Sequence, residues 1–260
     1  MPRLKTMQQR TGYLVGFSLV ELSIVLVILG LLTGGILAGQ SLIRAAELRA
    51  VSVEYSRYVA ATNSFRDKYF QLPGDFNNAA AFWTSLTTAN NGNSDGILNN
   101  AAAVSTTGEI FQYWNEMALA GLIEGNYSGL AGSGGVAATV LGTNAPKSKL
   151  SGGGWGIYNA ANYAGDAFTY KADYGNMLIF GAQSAGSIPL GGVLKPEEAW
   201  NIDTKMDDGR PGTGKVIPYT TVTWGQPTTC SLATGNTDYT SGYNLSSTTA
   251  TCALYFARPF

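Results

Sequence analysis

An uninterrupted apolar segment near the start of the chain most constrains what this sequence can fold into. Residues 17–38 contain a single ionisable side chain, that of Glu21, and are otherwise apolar or small. A helix of roughly 22 residues is about 33 Å long, which is enough to cross a hydrocarbon layer of about 30 Å. The sequence therefore predicts a membrane-spanning helix. Because a charge inside a membrane is costly, it also predicts a function for the Glu21 carboxylate.

The residues before this segment carry positive charge. Arg3, Lys5 and Arg10 precede it, and no acidic residue occurs before Glu21. Positive residues beside a span stay on the cytoplasmic side, so the sequence predicts a cytoplasmic N-terminus and an exported remainder. Two simpler interpretations are a secretory signal peptide cut near Ala38 and a plain single-span anchor. The apolar run is longer than a typical signal-peptide core, and neither interpretation explains Glu21.

A glycine, a phenylalanine and a glutamate stand at fixed spacing where the apolar run begins. Gly16 is followed directly by Phe17, then by Ser-Leu-Val, Glu21 and the aliphatic run. Behind a short basic leader, this order resembles the signal of the type IV pilin and type II secretion pseudopilin family. The resemblance implies that a prepilin peptidase cuts after Gly16 and methylates the new amine of Phe17. It also implies an assembly role for Glu21, paired with the terminal amine of a neighbouring subunit.

The resemblance implies a structural subunit of a bacterial pilus or pseudopilus. Its implied partners are the prepilin peptidase, other pilin or pseudopilin subunits and an inner-membrane assembly platform. The implied location is the inner membrane, with the globular domain in the periplasm or on an extracellular filament. The alternative is a membrane-anchored binding or adhesion module that does not polymerise, for which Glu21 should be dispensable. The sequence leaves open whether the subunit is a major pilin, a minor pilin or a pseudopilin.

The composition argues against several other functions. The chain contains no histidine, which excludes Ser-His-Asp and Cys-His nucleophilic sites and zinc sites with histidine ligands. Its net charge is −1 and only 13% of its residues are charged, so no strongly basic nucleic-acid surface is expected. A hydrolase would need a pair of carboxylates, and no pair stands in a sequence context typical of one. We therefore predict no enzymatic activity.

The first helix is predicted to continue beyond the membrane. Larger side chains recur at alternating steps of three and four residues, which is typical of one helix face packed against a domain. The predicted organisation is a leader at 1–16, a transmembrane and assembly helix at 17–39, its amphipathic continuation at 40–71 and a globular domain at 72–260. The stripe consists of Leu48, Val51, Tyr55, Tyr58, Thr62, Phe65 and Tyr69.

The remaining chain predicts an α+β domain. Leu72-Pro73-Gly74-Asp75 ends the long helix, because a residue before proline avoids helical geometry. The expected fold is pilin-like: a long N-terminal helix packed on a C-terminal antiparallel sheet with short helices. Short helices are predicted at 77–88, 109–123 and 196–207, and strands at 156–158, 176–180, 215–223 and 253–256.

One loop has the spacing of a calcium-binding motif. Asn91, Asn93 and Asp95 place oxygen side chains at alternate positions before a glycine and an isoleucine, as in the first half of an EF-hand loop. The expected glutamate at the twelfth position is missing, and Glu109 or Glu116 can substitute for it from the next helix. The sequence thus favours an ordinary Asn/Gly turn, with calcium as a candidate cofactor at Asn91, Asn93 and Asp95.

A second acidic group follows the helix predicted at 196–207. Its members, Asp203, Asp207 and Asp208, predict either a second cation site or a solvated acidic turn.

Cys230 and Cys252 are the only cysteines of the chain. In an exported domain they are expected to form a disulfide, with two free thiols as the alternative. The resemblance to pilins favours the disulfide.

Overall fold

The structure is a computed structural model that describes residues 16–260. The predicted leader therefore lies outside the described residues except for Gly16. The chain divides between Ala45 and Ala46 into two compact units. Helix α1, Leu19–Tyr69, begins in the first unit and ends in the second.

The first part of α1 is apolar on all sides. Its side chains up to Leu37 are exposed, among them Leu19, Leu31 and Ile36. Within residues 16–260 it is the one helix that is long and apolar enough to cross a membrane. This is compatible with a single-pass membrane anchor.

The second part of α1 packs against the globular unit through the predicted stripe. Val51 and Phe65 are fully buried, and Tyr58 is nearly so. The Tyr55 ring stacks on Phe256 with centroids 4.6 Å apart, and the Tyr58 and Trp155 rings form a T-shaped contact with centroids 5.5 Å apart. The stripe prediction is therefore confirmed, and aromatic contacts join the helix to the sheet.

Three further α-helices and a short 3₁₀ helix follow. The prediction for 77–88 is wrong in extent, since α-helical geometry ends where Trp83 takes an extended conformation. The prediction for 109–123 ends too late, because Gly121 has a φ of +72° and terminates the helix. The observed elements are α2 (Ala79–Phe82), the 3₁₀ helix (Thr88–Asn90), α3 (Glu109–Leu119) and α4 (Pro196–Met206).

A four-stranded antiparallel sheet forms the centre of the globular unit. The strand order is β1-β2-β4-β3, so the C-terminal strand lies between two earlier ones. All four predicted strands are present and the α+β class is confirmed, although the strand predicted at 215–223 ends earlier, at Thr220. The strands are β1 (Gly153–Asn159), β2 (Asn176–Ala182), β3 (Val216–Thr220) and β4 (Cys252–Ala257).

Both faces of this sheet are buried. Alternate side chains point to opposite faces of a strand, and here they enter two separate apolar clusters. Leu178 and Phe256 belong to the cluster that includes α1 and α3. Met177 and Tyr255 belong to the second cluster, which is covered by loops instead of helices.

One carboxylate lies within the contact between α1 and the sheet. Glu54 is 8% exposed, and its Oε2 accepts hydrogen bonds from the Ser148 hydroxyl at 2.7 Å and the Trp155 indole N–H at 2.8 Å. Its Oε1 accepts the backbone N–H of Lys149 at 2.8 Å. These bonds connect α1 to β1 and to the segment before it.

We expect Glu54→Ala to lower the free energy of unfolding by about 3 kcal/mol, because it leaves buried donors without an acceptor. Asp67→Ala removes an exposed carboxylate from the same helix and should change it by less than about 0.5 kcal/mol. Urea unfolding of the full-length chain in detergent, followed by tryptophan fluorescence, measures both. A loss below about 1 kcal/mol for Glu54→Ala would contradict the assignment.

Candidate functional site

The residues predicted for processing and assembly lie at the start of α1. Gly16 and Phe17 precede the first helical residue, and Phe17 is 92% exposed. The Oε2 atom of Glu21 accepts the backbone N–H of Ser18 at 2.9 Å. A carboxylate is favourable at a helix N-terminus, where backbone N–H groups lack partners. Glu21 thus caps its own helix through Oε2.

The turn that follows α1 contacts both α3 and the loop that contains Asp95. Gly74 has a φ of +84° and lies so close to α3 that an added Cβ would be 2.3 Å from the Glu109 carbonyl oxygen. The next residue, Asp75, is buried. Its Oδ1 accepts the N–H of Asp95 at 3.2 Å, and its Oδ2 accepts the N–H of Gly96 at 2.8 Å. Asp75 therefore holds the predicted calcium loop against the end of α1.

Three carboxylates meet at this junction. One oxygen each of Asp75, Asp95 and Glu109 lies within 4.8 Å of the others. Burial raises the pKa of Asp75 and that of Glu109, and backbone N–H donors partly oppose the effect. In the part of the chain that the structure describes, no lysine or arginine forms an ion pair with them. Concentrated negative charge with oxygen donors is the environment that suits a hard cation such as calcium.

Of the three ligands predicted from the loop, Asp95 is a member of this group of carboxylates, and the Asn93 amide N–H donates to its Oδ2 at 2.9 Å. The side-chain oxygen of Asn91 accepts the backbone N–H of Ala80, at 2.9 Å. That of Asn93 accepts the backbone N–H of Asp95, also at 2.9 Å. Glu109, considered as a substitute ligand, does lie beside Asp95. Sequence reasoning missed Asp75, although its place behind a Pro-Gly turn was visible.

Glu116, also considered as a substitute ligand, is not a member of this group of carboxylates. It is fully buried, and its Oε2 accepts the backbone N–H of Gly74 at 2.7 Å. Within residues 16–260 its Oε1 has no hydrogen-bond partner. Burial is the main cause of a pKa raised well above the ordinary value, and the charges of Asp75 and Glu109 add to it. Glu116 therefore positions the turn that carries Asp75.

The second acidic group forms a turn closed by its own hydrogen bonds. Asp207 accepts backbone N–H groups of Lys215 and Val216. Asp208 accepts the N–H of Arg210 and the hydroxyl of Thr213. The carboxylates of Asp203, Asp207 and Asp208 also approach within 4.8 Å of one another.

Asp203 is the buried member of that turn. Its Oδ2 accepts the Tyr243 hydroxyl at 2.8 Å, and its Oδ1 accepts the N–H of Gly209 at 3.1 Å. Burial is the main cause that raises its pKa to about 7.

The two cysteines are bonded to each other. Cys230 and Cys252 form a disulfide with their Cα atoms 5.3 Å apart. The bond fastens the polar loop before β4 to the first residue of that strand, and both cysteines are buried. The disulfide expected from the sequence is thus present.

Comparisons with known proteins add no relative. No family model, no curated protein and no solved structure matches this chain. Its functional interpretation therefore depends on its own residues.

The calcium prediction leads to a direct measurement. Calorimetry of the full-length protein with calcium should give saturable heat, and Asp75→Asn and Asp95→Ala should each weaken binding at least tenfold by removing a ligand. Asp208→Asn changes a carboxylate in the other acidic group and should leave this binding unchanged. An absence of heat in the unaltered protein would refute calcium binding.

We predict a pH-dependent contribution of Asp203 to stability. Its pKa is 3.8 as an ordinary carboxyl and about 7 in the folded protein, so the native state binds this proton more tightly than the unfolded chain. The stability advantage of the unaltered chain over Asp203→Asn should therefore fall on the order of 2 kcal/mol as pH rises from about 4 to 7. Unfolding at several pH values measures it.

Tyr243→Phe provides the companion to that measurement. This change removes a hydrogen-bond donor that favours the charged form of Asp203 and so raises the pKa of Asp203 further. The stability advantage over Asp203→Asn should then be lost at higher pH. Parallel pH profiles for the unaltered chain and Asp203→Asn would contradict the prediction.

Proposed function

We propose that this chain is a structural subunit that polymerises through a processed N-terminal helix after insertion in a membrane. More particularly, we propose that it is a subunit of a type IV pilus or of a type II secretion pseudopilus. In this proposal the peptidase cuts after Gly16, Phe17 becomes the methylated terminus, and the helix crosses the inner membrane once. The globular domain then lies in the periplasm or on the filament.

The observation that carries the proposal is a fully apolar helix segment with one carboxylate at its start. The exposed apolar side chains up to Leu37 are unfavourable in water. In this proposal lipid surrounds them before assembly, and neighbouring helices surround them afterwards. A lipid environment alone does not explain the presence of Glu21. The terminal amine of a neighbouring subunit explains it, because two charges that pair inside an apolar bundle favour a single register.

The chemistry of the cleavage site agrees with this proposal. Gly16 has no side chain, so a protease can approach its backbone closely. Cleavage there creates an amine at Phe17, four residues before Glu21 and thus about one helical turn away. The same amine can be protonated and offered to the next subunit.

A membrane-anchored binding module is the second candidate. It is favoured by the group of Asp75, Asp95 and Glu109, which gives the globular unit a potential ligand site of its own. A module of this kind needs the apolar helix only as an anchor. The role of Glu21 therefore separates the two candidates.

We expect Glu21→Ala to reduce filament yield at least tenfold while membrane insertion stays the same. The change removes the partner of the neighbour's amine but makes the span more apolar. Filament yield is measured by shearing and immunoblotting, and insertion by membrane fractionation.

Ser23→Ala is the matched control, since it also replaces a polar side chain in the exposed first part of α1. It should assemble normally. Mass spectrometry of the purified protein checks that each variant starts at a methylated Phe17. Normal filament yield from a processed Glu21→Ala chain would reject the assembly role of Glu21, and absence of the unaltered chain from sheared filaments would reject the polymer and favour the anchored module.

A further inference from the structure

A cavity of about 220 Å³ opens on the loop-covered face of the sheet. Strands contribute Tyr158, Met177, Tyr219 and Tyr255 to its wall, and these belong to or pack against the second apolar cluster. The cavity therefore lies on the opposite side of the sheet from the contact with α1 and α3. It is also separate from the group of carboxylates around Asp75.

Four tyrosine rings follow one another around this cavity. The centroids of Tyr163 and Tyr174 are 6.3 Å apart, those of Tyr174 and Tyr255 are 5.5 Å apart, and those of Tyr255 and Tyr219 are 5.8 Å apart. Tyr174 and Tyr255 are buried, whereas Tyr163 and Tyr219 are half-buried. The inner rings are thus fixed by packing, and the outer rings stand where a ligand enters.

Asp166 is the only charged residue in the lining of this cavity. Its Oδ2 accepts the Tyr163 hydroxyl at 2.7 Å, and its Oδ1 accepts the backbone N–H groups of Phe168 and Thr169 at 2.7 and 2.8 Å. These bonds hold the exposed carboxylate in place. In residues 16–260 no lysine or arginine forms an ion pair with it.

The four tyrosines of this series stay uncharged at neutral pH. Burial is the main cause that raises the pKa of Tyr163 to about 12, and the nearby Asp166 carboxylate adds to it. Burial also raises the pKa of Tyr174, Tyr219 and Tyr255 above the ordinary value. The cavity therefore combines neutral rings with one negative charge.

We propose that this cavity binds a small organic cation, namely a methylated or alkylated ammonium group. Ring faces attract a cation through their quadrupole, and several rings beside a carboxylate are a recurrent way to hold quaternary ammonium. An anion would meet the Asp166 carboxylate without a basic partner. Two of the lining hydroxyls are not available as donors to a sugar, since Tyr163 donates to Asp166 and Tyr174 donates to the Tyr170 carbonyl oxygen.

Choline and its neutral isostere 3,3-dimethylbutan-1-ol test the proposal on the full-length protein in a glycol-ether detergent, which contains neither ammonium nor sugar. Trp224 is a local reporter, since its indole N–H donates to the Asp166 carbonyl oxygen at 3.0 Å. We expect saturable fluorescence and calorimetric signals with choline and at least tenfold weaker binding of the isostere. Equal affinity for the two compounds would overturn the proposal, as would binding of a neutral sugar but not of choline.

Substitutions in the cavity lining test whether choline binds at this cavity. Tyr219→Ala removes a half-buried ring and Asp166→Asn removes the charge, so each should weaken choline at least fivefold. Tyr239→Ala removes a tyrosine outside the cavity lining and should leave the affinity unchanged. An unfolding midpoint for each variant shows that it is folded. Unchanged choline affinity in folded Tyr219→Ala and Asp166→Asn would overturn the proposal, and none of these results depends on Glu21 or on filament assembly.

Discussion

The position of the long helix on the sheet depends on a polar group inside an apolar contact. Aromatic packing of Tyr55 and Tyr58 against the sheet is not directional enough to fix one rotation of α1 about its axis. Glu54 fixes that rotation, because its two oxygens must reach three donors on and before β1. A rotation that left these donors unpaired in the interior would cost several kcal/mol. Apolar burial therefore supplies the attraction, and the carboxylate selects the geometry.

The two faces of the sheet are buried by different kinds of element. Helices cover one face with large side chains, whereas loops cover the other and must bring their backbone close to the strands. An added Cβ at Gly181 would lie 2.2 Å from the carbonyl oxygen of Pro189, so only glycine allows this approach. The abundance of glycine in the second half follows from such contacts. Loops also cover a strand less evenly than a helix does, and the tyrosine-lined cavity lies on that face.

Local patterns predicted much of this fold, whereas contacts between distant segments were not predictable. The alternating steps from Leu48 to Tyr69 identified the buried face of α1, and runs of β-branched and aromatic residues identified the four strands. The extent of α2 was wrong, because short helices depend on packing more than on local sequence. Asp75, Asp95 and Glu109 are brought together by a turn, a loop and a helix, and no periodicity connects them. The tyrosine rings around the cavity likewise come from three strands and a loop, so only the folded chain shows that they are neighbours.

The hydrogen bonds around Asp75 show how a structured turn and a cation site can use the same residues. A carboxylate has about four lone-pair positions, and the bonds from the Asp95 and Gly96 N–H groups occupy two on Asp75. Bonds from the Asn93 and Asn99 N–H groups occupy two on Glu109. The remaining lone pairs can accept a cation without loss of the turn. Burial raises the pKa of both carboxyls, and the negative charge of the neighbouring carboxylates adds to the effect. A calcium ion held by these carboxylates would compete with protons, and its affinity would then fall as pH decreases.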